Sequence, residues 1–132
     1  MELNSVLKED IKMVAVKGDM DSHTSPKARE FFAKVLKEEN KKIIIDLTSV
    51  PYISSAGLAS LHIVTKMFRD EKADPEDVWD TFKKIDRDRE RGIQNPVKLL
   101  NPSPEVDNVL DMLGFKQFFE IYTDLEEAIG SF

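Results

Sequence analysis

The sequence predicts an α/β fold built on a mixed, mostly parallel β-sheet, with the helices mainly on one face and one inserted amphipathic helix. Three observations support this prediction. Short apolar runs typical of strands alternate with longer segments whose apolar residues recur every three or four positions, as in helices. Two strands joined by a tight turn come first, which indicates a hairpin. The alternation that follows favours parallel strands joined by right-handed crossovers.

Composition narrows the class of protein. The 132 residues suit a single domain, 1–132, and 41% of them are hydrophobic, enough for a core. The net charge of −6 argues against binding to nucleic acid or to an anionic membrane surface. The absence of cysteine excludes disulfides and Cys-ligated zinc. The N-terminus lacks the pattern of a signal peptide, and no apolar run is long enough to span a bilayer, so a cytoplasmic protein is expected.

The first elements are a hairpin and a helix. Residues 3–7 and 13–16 are the predicted strands, and Glu9-Asp10 is the turn between them. A polar cluster then supplies helix caps, and Pro26 suits the first helical position. The helix that follows has one apolar face, formed by Ala28, Phe31, Phe32, Val35 and Leu36.

The stretch from Ile43 to Leu58 is the centre of the chain. It begins as a β-branched run, which predicts a strand buried on both faces. It passes through a loop and ends in Ser54-Ser55-Ala56-Gly57, directly before a second apolar helix. Serine is favoured at a helix N-cap, so both serines are expected at a surface helix start, where a hydroxyl caps the helix or accepts a phosphoryl group. Gly57 is costly in a helix and indicates close approach of a neighbouring or partner backbone.

Residues 70–95 form a charged insertion. Asp74-Pro75 predicts a helix start, and Val78, Phe82 and Ile85 lie on one side of that helix with Trp79 adjacent. Two interpretations are open. These side chains pack the inserted helix onto the domain, or Trp79 and Phe82 form a docking surface for a partner or for a second copy of the chain, as in a homodimer.

Strand and helix signals alternate again in the last third of the chain. Residues 97–100 are a predicted strand, and a helix starts in the turn that follows and ends at Gly114. Residues 118–122 are the predicted last strand. Thr123 and Glu126 have the spacing of a capping box, which predicts a short terminal helix.

Several motifs together resemble the STAS domain family, the anti-sigma factor antagonists. The stretch from Asp46 to Leu58 is similar to the family's central motif, an apolar strand and Asp followed by a loop and Asp-Ser-Ser/Ala-Gly-Leu. Gly18-Asp19-Met20-Asp21 is similar to its Gly-x-Leu/Ile-Asp landmark. The segments 101–106 and 113–115 also resemble the C-terminal half. The resemblance spans the chain except for about residues 70–95, where the family has a short Gly-rich loop.

This resemblance implies a function and a site. STAS antagonists bind a serine kinase that doubles as an anti-sigma factor, and the kinase ends the binding by phosphorylating a serine at the start of the second helix. By its position in the motif, that serine is Ser55. The family usually has an acidic residue directly before the phosphorylated serine, and this chain has Ser54 at that position, so Ser54 is the alternative site. A serine phosphatase resets the switch. The implied partner-binding residues are Asp21, Ser54, Ser55, Ala56, Gly57 and Leu58.

Simpler interpretations of the same residues are also open. Ser55 and Asp21 can both be plain helix caps. A hydrolase is not expected, because His62 lies about two helical turns from Ser55 and the chain lacks Gly-x-Ser-x-Gly. No metal or cofactor is expected, since the carboxylates lack metal-loop spacing and no phosphate-binding glycine loop is present. A second functional hypothesis is a scaffold or accessory module in a signalling assembly or a transport system, without control of a sigma factor.

Overall fold

The computed structural model describes residues 1–38, 42–68, 97–117 and 119–132. Five strands form one sheet in the order β1-β2-β3-β4-β5. β1 and β2 are antiparallel, and the other neighbouring pairs are parallel, which confirms the predicted mixed sheet. The strands are β1 (Glu2–Lys8), β2 (Ile11–Lys17), β3 (Ile43–Ser49), β4 (Val97–Leu100) and β5 (Ile121–Tyr122). The helices are α1 (Ser25–Lys37), α2 (Ser55–Phe68), α3 (Pro104–Met112) and α4 (Leu125–Gly130), with a 3₁₀ turn at Phe115–Gln117.

The two faces of the sheet carry separate apolar clusters. Successive side chains of a strand point to opposite faces. Ile43, Ile45 and Leu47 of β3 therefore join the larger cluster, which also contains buried apolar residues from each of α1, α2 and α3. Ile44 points the other way, into a smaller cluster that includes Ala128 of α4. Three of the four helices named here thus cover one face, as predicted.

The hairpin and the third helix agree with their sequence signals. Glu9 and Asp10 have φ angles of 52° and 66°, so both occupy the left-handed region that a two-residue hairpin turn requires. Gly114 ends α3 with a φ of 78°. The predicted inserted helix lies outside the described residues, and so does the proposed docking pair, Trp79 and Phe82.

Two predictions at the C-terminal end are wrong. The last strand covers only Ile121–Tyr122, because Phe119 is buried in the main core and stacks on Phe115 with ring centroids 6.0 Å apart. That packing draws the preceding segment into a 3₁₀ turn instead of an extended strand. The cap of α4 is Asp124 and not Thr123, since its carboxylate accepts a hydrogen bond from the Glu126 N–H at 3.2 Å.

Candidate functional site

The loop that leads from β3 into α2 presents both serines at the carboxyl edge of the parallel strands. Ser54 is the N-cap, because its Oγ accepts from the Gly57 N–H at 3.2 Å and its carbonyl accepts from the Leu58 N–H at 2.9 Å. This is the arrangement that makes serine a favoured N-cap. The hydroxyl of Ser54, which is half-buried, is therefore engaged in holding the start of the helix.

Ser55 is the first residue of α2 and is exposed. Its hydroxyl makes no hydrogen bond to any of the described residues. The backbone N–H groups of Ser55 and Ala56 donate to no carbonyl in the same part of the chain. These are the donors that the first turn of a helix leaves unsatisfied. The site thus combines an accessible nucleophilic hydroxyl with free donors at the positive end of a helix dipole.

The loop between β2 and α1 packs directly against this helix start. Met20 forms a parallel bridge with Ile53, and its carbonyl accepts from the Ser54 N–H at 2.8 Å. The Cβ of any other residue at Gly57 would clash with that same Met20 carbonyl and would lie 2.9 Å from Ile53 Cγ1. The close neighbour expected from Gly57 is therefore the backbone of this chain's own Met20.

Asp21 organises the turn before α1. Its Oδ1 accepts from the N–H groups of His23 and Thr24, at 2.9 and 3.0 Å. The Thr24 N–H is the main reason that the pKa of Asp21 is lowered, so this carboxylate is charged at neutral pH. The Asp21 carbonyl accepts from the Ser25 hydroxyl at 2.5 Å, and that hydroxyl also lies 3.4 Å from the Ala56 carbonyl. Asp21 is therefore tied, through Ser25, to the first turn of α2.

The loop is braced on its other side by the segment that follows β4. The Asn101 side-chain amide donates to Thr48 Oγ1 at 3.1 Å. The Ser103 hydroxyl donates to the Val50 carbonyl at 3.3 Å and also caps α3. Because both neighbouring loops hold it, the loop before Ser55 is positioned by tertiary contacts and not by local sequence alone.

The structure brings the predicted partner-binding residues, which are Asp21 and residues 54–58, together at one edge of the sheet, but gives them different environments. Ser55 is exposed, while Asp21, Ser54 and Ala56 are half-buried. Gly57 and Leu58 are buried, and Leu58 is part of the main core. Gly57 and Leu58 therefore pack the start of α2 against the protein interior and are not part of its exposed surface.

Tyr52 is a surface residue that the sequence analysis did not single out. It is 51% exposed, although its carbonyl accepts from the Met20 N–H at 3.0 Å and so fixes its backbone. An aromatic residue in the loop between a predicted strand and a predicted helix, three positions before Ser55, was the available signal. Tyrosine is enriched among the residues that dominate binding at interfaces.

The described residues contain no cluster of His, Asp or Glu that could hold a metal ion. Among the same residues, no helix is both long enough and apolar enough to cross a membrane.

Comparison with solved structures shows the same fold. An anti-sigma factor antagonist from Mycobacterium paratuberculosis aligns with 98% of this chain and 92% of its own, at a TM-score of 0.70 and 16% identity. SpoIIAA in its unphosphorylated form aligns with 98% of this chain and 95% of its own, at a TM-score of 0.63 and 17% identity. The Bacillus cell fate determinant SpoIIAA in its phosphorylated form covers 98% of both chains, at a TM-score of 0.55 and 15% identity.

Family assignment rests on the sequence match as well as on the fold. The model of the STAS domain family matches residues 2–74, more than half of the chain. That range includes the β2–α1 loop with Asp21 and the β3–α2 loop with both serines. The sequence motif, the order of the strands and the sheet edge at which the two loops meet all agree with this match. The chain therefore belongs to the STAS domain family.

Proposed function

We propose that this protein is an anti-sigma factor antagonist whose binding to an anti-sigma factor that is also a serine kinase is controlled by phosphorylation of Ser55. The observation that carries the proposal is the difference between the two serines. The Ser54 hydroxyl caps α2, whereas the Ser55 hydroxyl is exposed and makes no hydrogen bond within the described residues. A kinase can reach the second without dismantling the start of the helix. SpoIIAA, which has a similar fold, has been solved in both a phosphorylated and an unphosphorylated form, and this supports the proposal of such a switch.

The position of Ser55 explains how a phosphate could change binding and leave the fold intact. A phosphoryl group adds a charge of about −1.5 to −2. The N–H groups of Ser55 and Ala56 and the positive end of the helix dipole favour negative charge at this point. The fold therefore tolerates the modification, and its effect falls on the surface that a partner meets.

The partner surface that we propose consists of Tyr52, Ser55 and the turn at Asp21. Tyr52 supplies an exposed aromatic anchor, and Asp21 adds a fixed negative charge. A partner that fits this surface packs closely against the exposed Ser55 hydroxyl. A phosphate there introduces bulk and desolvation, and like-charge contacts in an interface cost several kcal/mol. We expect phosphorylation to weaken binding by at least about a hundredfold, which corresponds to about 2.8 kcal/mol.

The direct test is to incubate the protein with its candidate kinase and ATP and to locate the phosphate by mass spectrometry. The wild type and Ser54→Ala should be labelled, and Ser55→Ala should not. In a pull-down with the kinase, Ser55→Ala should bind like the unmodified protein and Ser55→Asp should bind weakly. A serine phosphatase should restore binding of the labelled wild type.

The outcomes separate the alternatives. Stoichiometric labelling of Ser55→Ala together with loss of labelling in Ser54→Ala would move the switch to Ser54. Equal binding of the phosphorylated and unmodified proteins would remove the switch and leave a scaffold or accessory module in a signalling assembly or transport system.

A further inference from the structure

Within the described residues, β1 forms the outer edge of the sheet and pairs with no strand but β2. Its seven residues are in continuous register with β2, without a bulge, and contain no proline. Six of the seven are exposed, the exception being Leu3. Natural proteins usually blunt such an edge with bulges, prolines or central charges, because its unpaired backbone groups are a template for another strand. In β1 the only charged residues are Glu2 and Lys8, at the two ends.

The hairpin geometry determines which backbone groups of β1 face outward. Lys8 and Ile11 close a two-residue turn, so they form a hydrogen-bonded pair. Because pairs alternate along an antiparallel ladder, the even-numbered residues of β1 direct their N–H and C=O groups to β2. Leu3, Ser5 and Leu7 direct theirs to the open edge. These three residues are symmetrically spaced about Ser5.

This spacing makes the edge self-complementary. If two copies of β1 pair antiparallel with Ser5 opposite Ser5, Leu3 of each copy lies opposite Leu7 of the other, and all three pairs present outward-facing backbone groups. The same register places Glu2 opposite Lys8 of the second copy. Lys8 at present lies 3.8 Å from Glu126, in a pair whose side chains are 46% and 78% exposed. Such an exposed pair is weak, so Lys8 can exchange its partner at little cost.

A groove beside the strand fits the same register. Leu3 and Leu7 pair with Val16 and Lys12, so both lie on the α1 side of the sheet. An open groove of about 410 Å³ lies between β1 and α1. The half-buried Leu3 and Phe31 are its apolar residues, and the rest of its lining is polar or charged: Glu2, Asn4, Lys27, Glu30 and Lys34. Leu7 is 58% exposed in the single chain. In the paired register, Leu7 of the second copy reaches the side of Leu3 and covers apolar surface in this groove.

We propose that a second copy of this chain binds at β1 and forms a symmetric dimer with one continuous sheet. The interface is isologous, as a two-fold dimer requires, since each copy contributes the same strand. The main-chain ladder supplies affinity, and the Glu2–Lys8 and Leu3–Leu7 pairs set the register. β3, which leads to Ser55, lies two strands from this edge, so each copy keeps its serine accessible. The proposal is independent of the switch at Ser55.

Sedimentation equilibrium of the full chain over about 1 µM to 1 mM tests the proposal, a range in which small interfaces assemble. The weight-average mass of the wild type should rise towards that of a dimer. Ser5→Pro should remain monomeric and folded, because the N–H that it removes faces the open edge and takes no part in the hairpin. Circular dichroism checks that this variant keeps its fold.

Charge reversal tests the register. Lys8→Glu places like charges opposite each other and should weaken the dimer at least tenfold. The double variant Glu2→Lys with Lys8→Glu restores opposite charges and should recover the affinity of the wild type. A wild type that stays monomeric to 1 mM overturns the proposal. So does a folded Ser5→Pro variant that dimerises like the wild type, since the interface would then lie elsewhere, and so does a double variant as weak as Lys8→Glu, since the register would be different.

Discussion

Gly57 and Met20 approach each other so closely that a Cβ at position 57 would collide with the Met20 carbonyl oxygen. This contact joins the two loops that the family motifs occupy. It holds the turn before α1 against the first turn of α2, where Ser54 caps and Ser55 is exposed.

Gly57→Ala should destabilise the protein. Alanine is favoured over glycine in a helix by about 1 kcal/mol, but overpacking against fixed structure costs about 1–3 kcal/mol. The obstacle here is a backbone carbonyl that is itself hydrogen-bonded, so it cannot swing away as a side-chain tip can. We expect a net loss of about 1 kcal/mol in urea denaturation. Gly130→Ala is the matched control, because a Cβ there meets nothing within 4 Å, and this variant should be neutral or slightly more stable.

Ser54→Ala should lower the free energy of unfolding by about 1 kcal/mol, since it removes the N-cap hydrogen bond to Gly57. Ser55→Ala should change stability by less than about 0.5 kcal/mol, because its hydroxyl is exposed and forms no bond in the described structure. Chemical denaturation of the two variants side by side measures the difference. Equal losses, or a larger loss for Ser55→Ala, would contradict the division of roles between the serines.

Asp21 should make the stability depend on pH in the acid range. Hydrogen bonds from the Thr24 and His23 N–H groups lower its pKa in the folded state. A group with a lowered folded pKa stabilises the protein above its unfolded pKa, and that contribution is lost as the pH falls through the folded value. The Tm of Asp21→Asn, which keeps an acceptor oxygen but does not titrate, should lie below that of the wild type at pH 7. The gap should narrow below about pH 4. A gap that is constant from pH 7 to pH 3 would show that the charge of Asp21 contributes nothing.

Lys98 should anchor α4 to the second face of the sheet. Its ammonium group is buried, lies 2.6 Å from Glu120 Oε2 and donates to the hydroxyl of Ser131 at 2.8 Å and to its carbonyl at 3.2 Å. It also lies 4.6 Å from the centre of the Phe132 ring. Lys98→Met removes these bonds and should cost about 1–3 kcal/mol.

Amide hydrogen exchange shows where Lys98→Met acts. Exchange should become faster than in the wild type in residues 125–130, which form α4, and should change little in α1. Lys116→Met is the control, because the Lys116–Asp107 pair at 2.8 Å is more exposed and should contribute little. Unchanged protection of α4 in Lys98→Met would show that apolar contacts alone hold this helix.

Much of the fold followed from local pattern. The β-branched run in β3 and the three- and four-residue spacing in α1 are properties of short segments, so their identity as strand and helix was predictable. The start of the last strand was not predictable, because the apolar run that includes Phe119 fits either a strand or a core-filling turn. The need to bury Phe119 against Phe115 decides between them, and that need arises only once the core exists.

The order of the described strands and helices, the helix start at the serine pair and the resemblance of the loops to STAS motifs were all predictable from local sequence. Tertiary structure alone decided which serine caps and which stays accessible, because both are compatible with a helix start. It also decided that Gly57 accommodates Met20, a residue 37 positions earlier in the chain, whose carbonyl reaches it only when β2 and β3 lie side by side. Local sequence specifies backbone preference within a few residues, whereas the contacts that shape this site join segments that meet only when the sheet has formed.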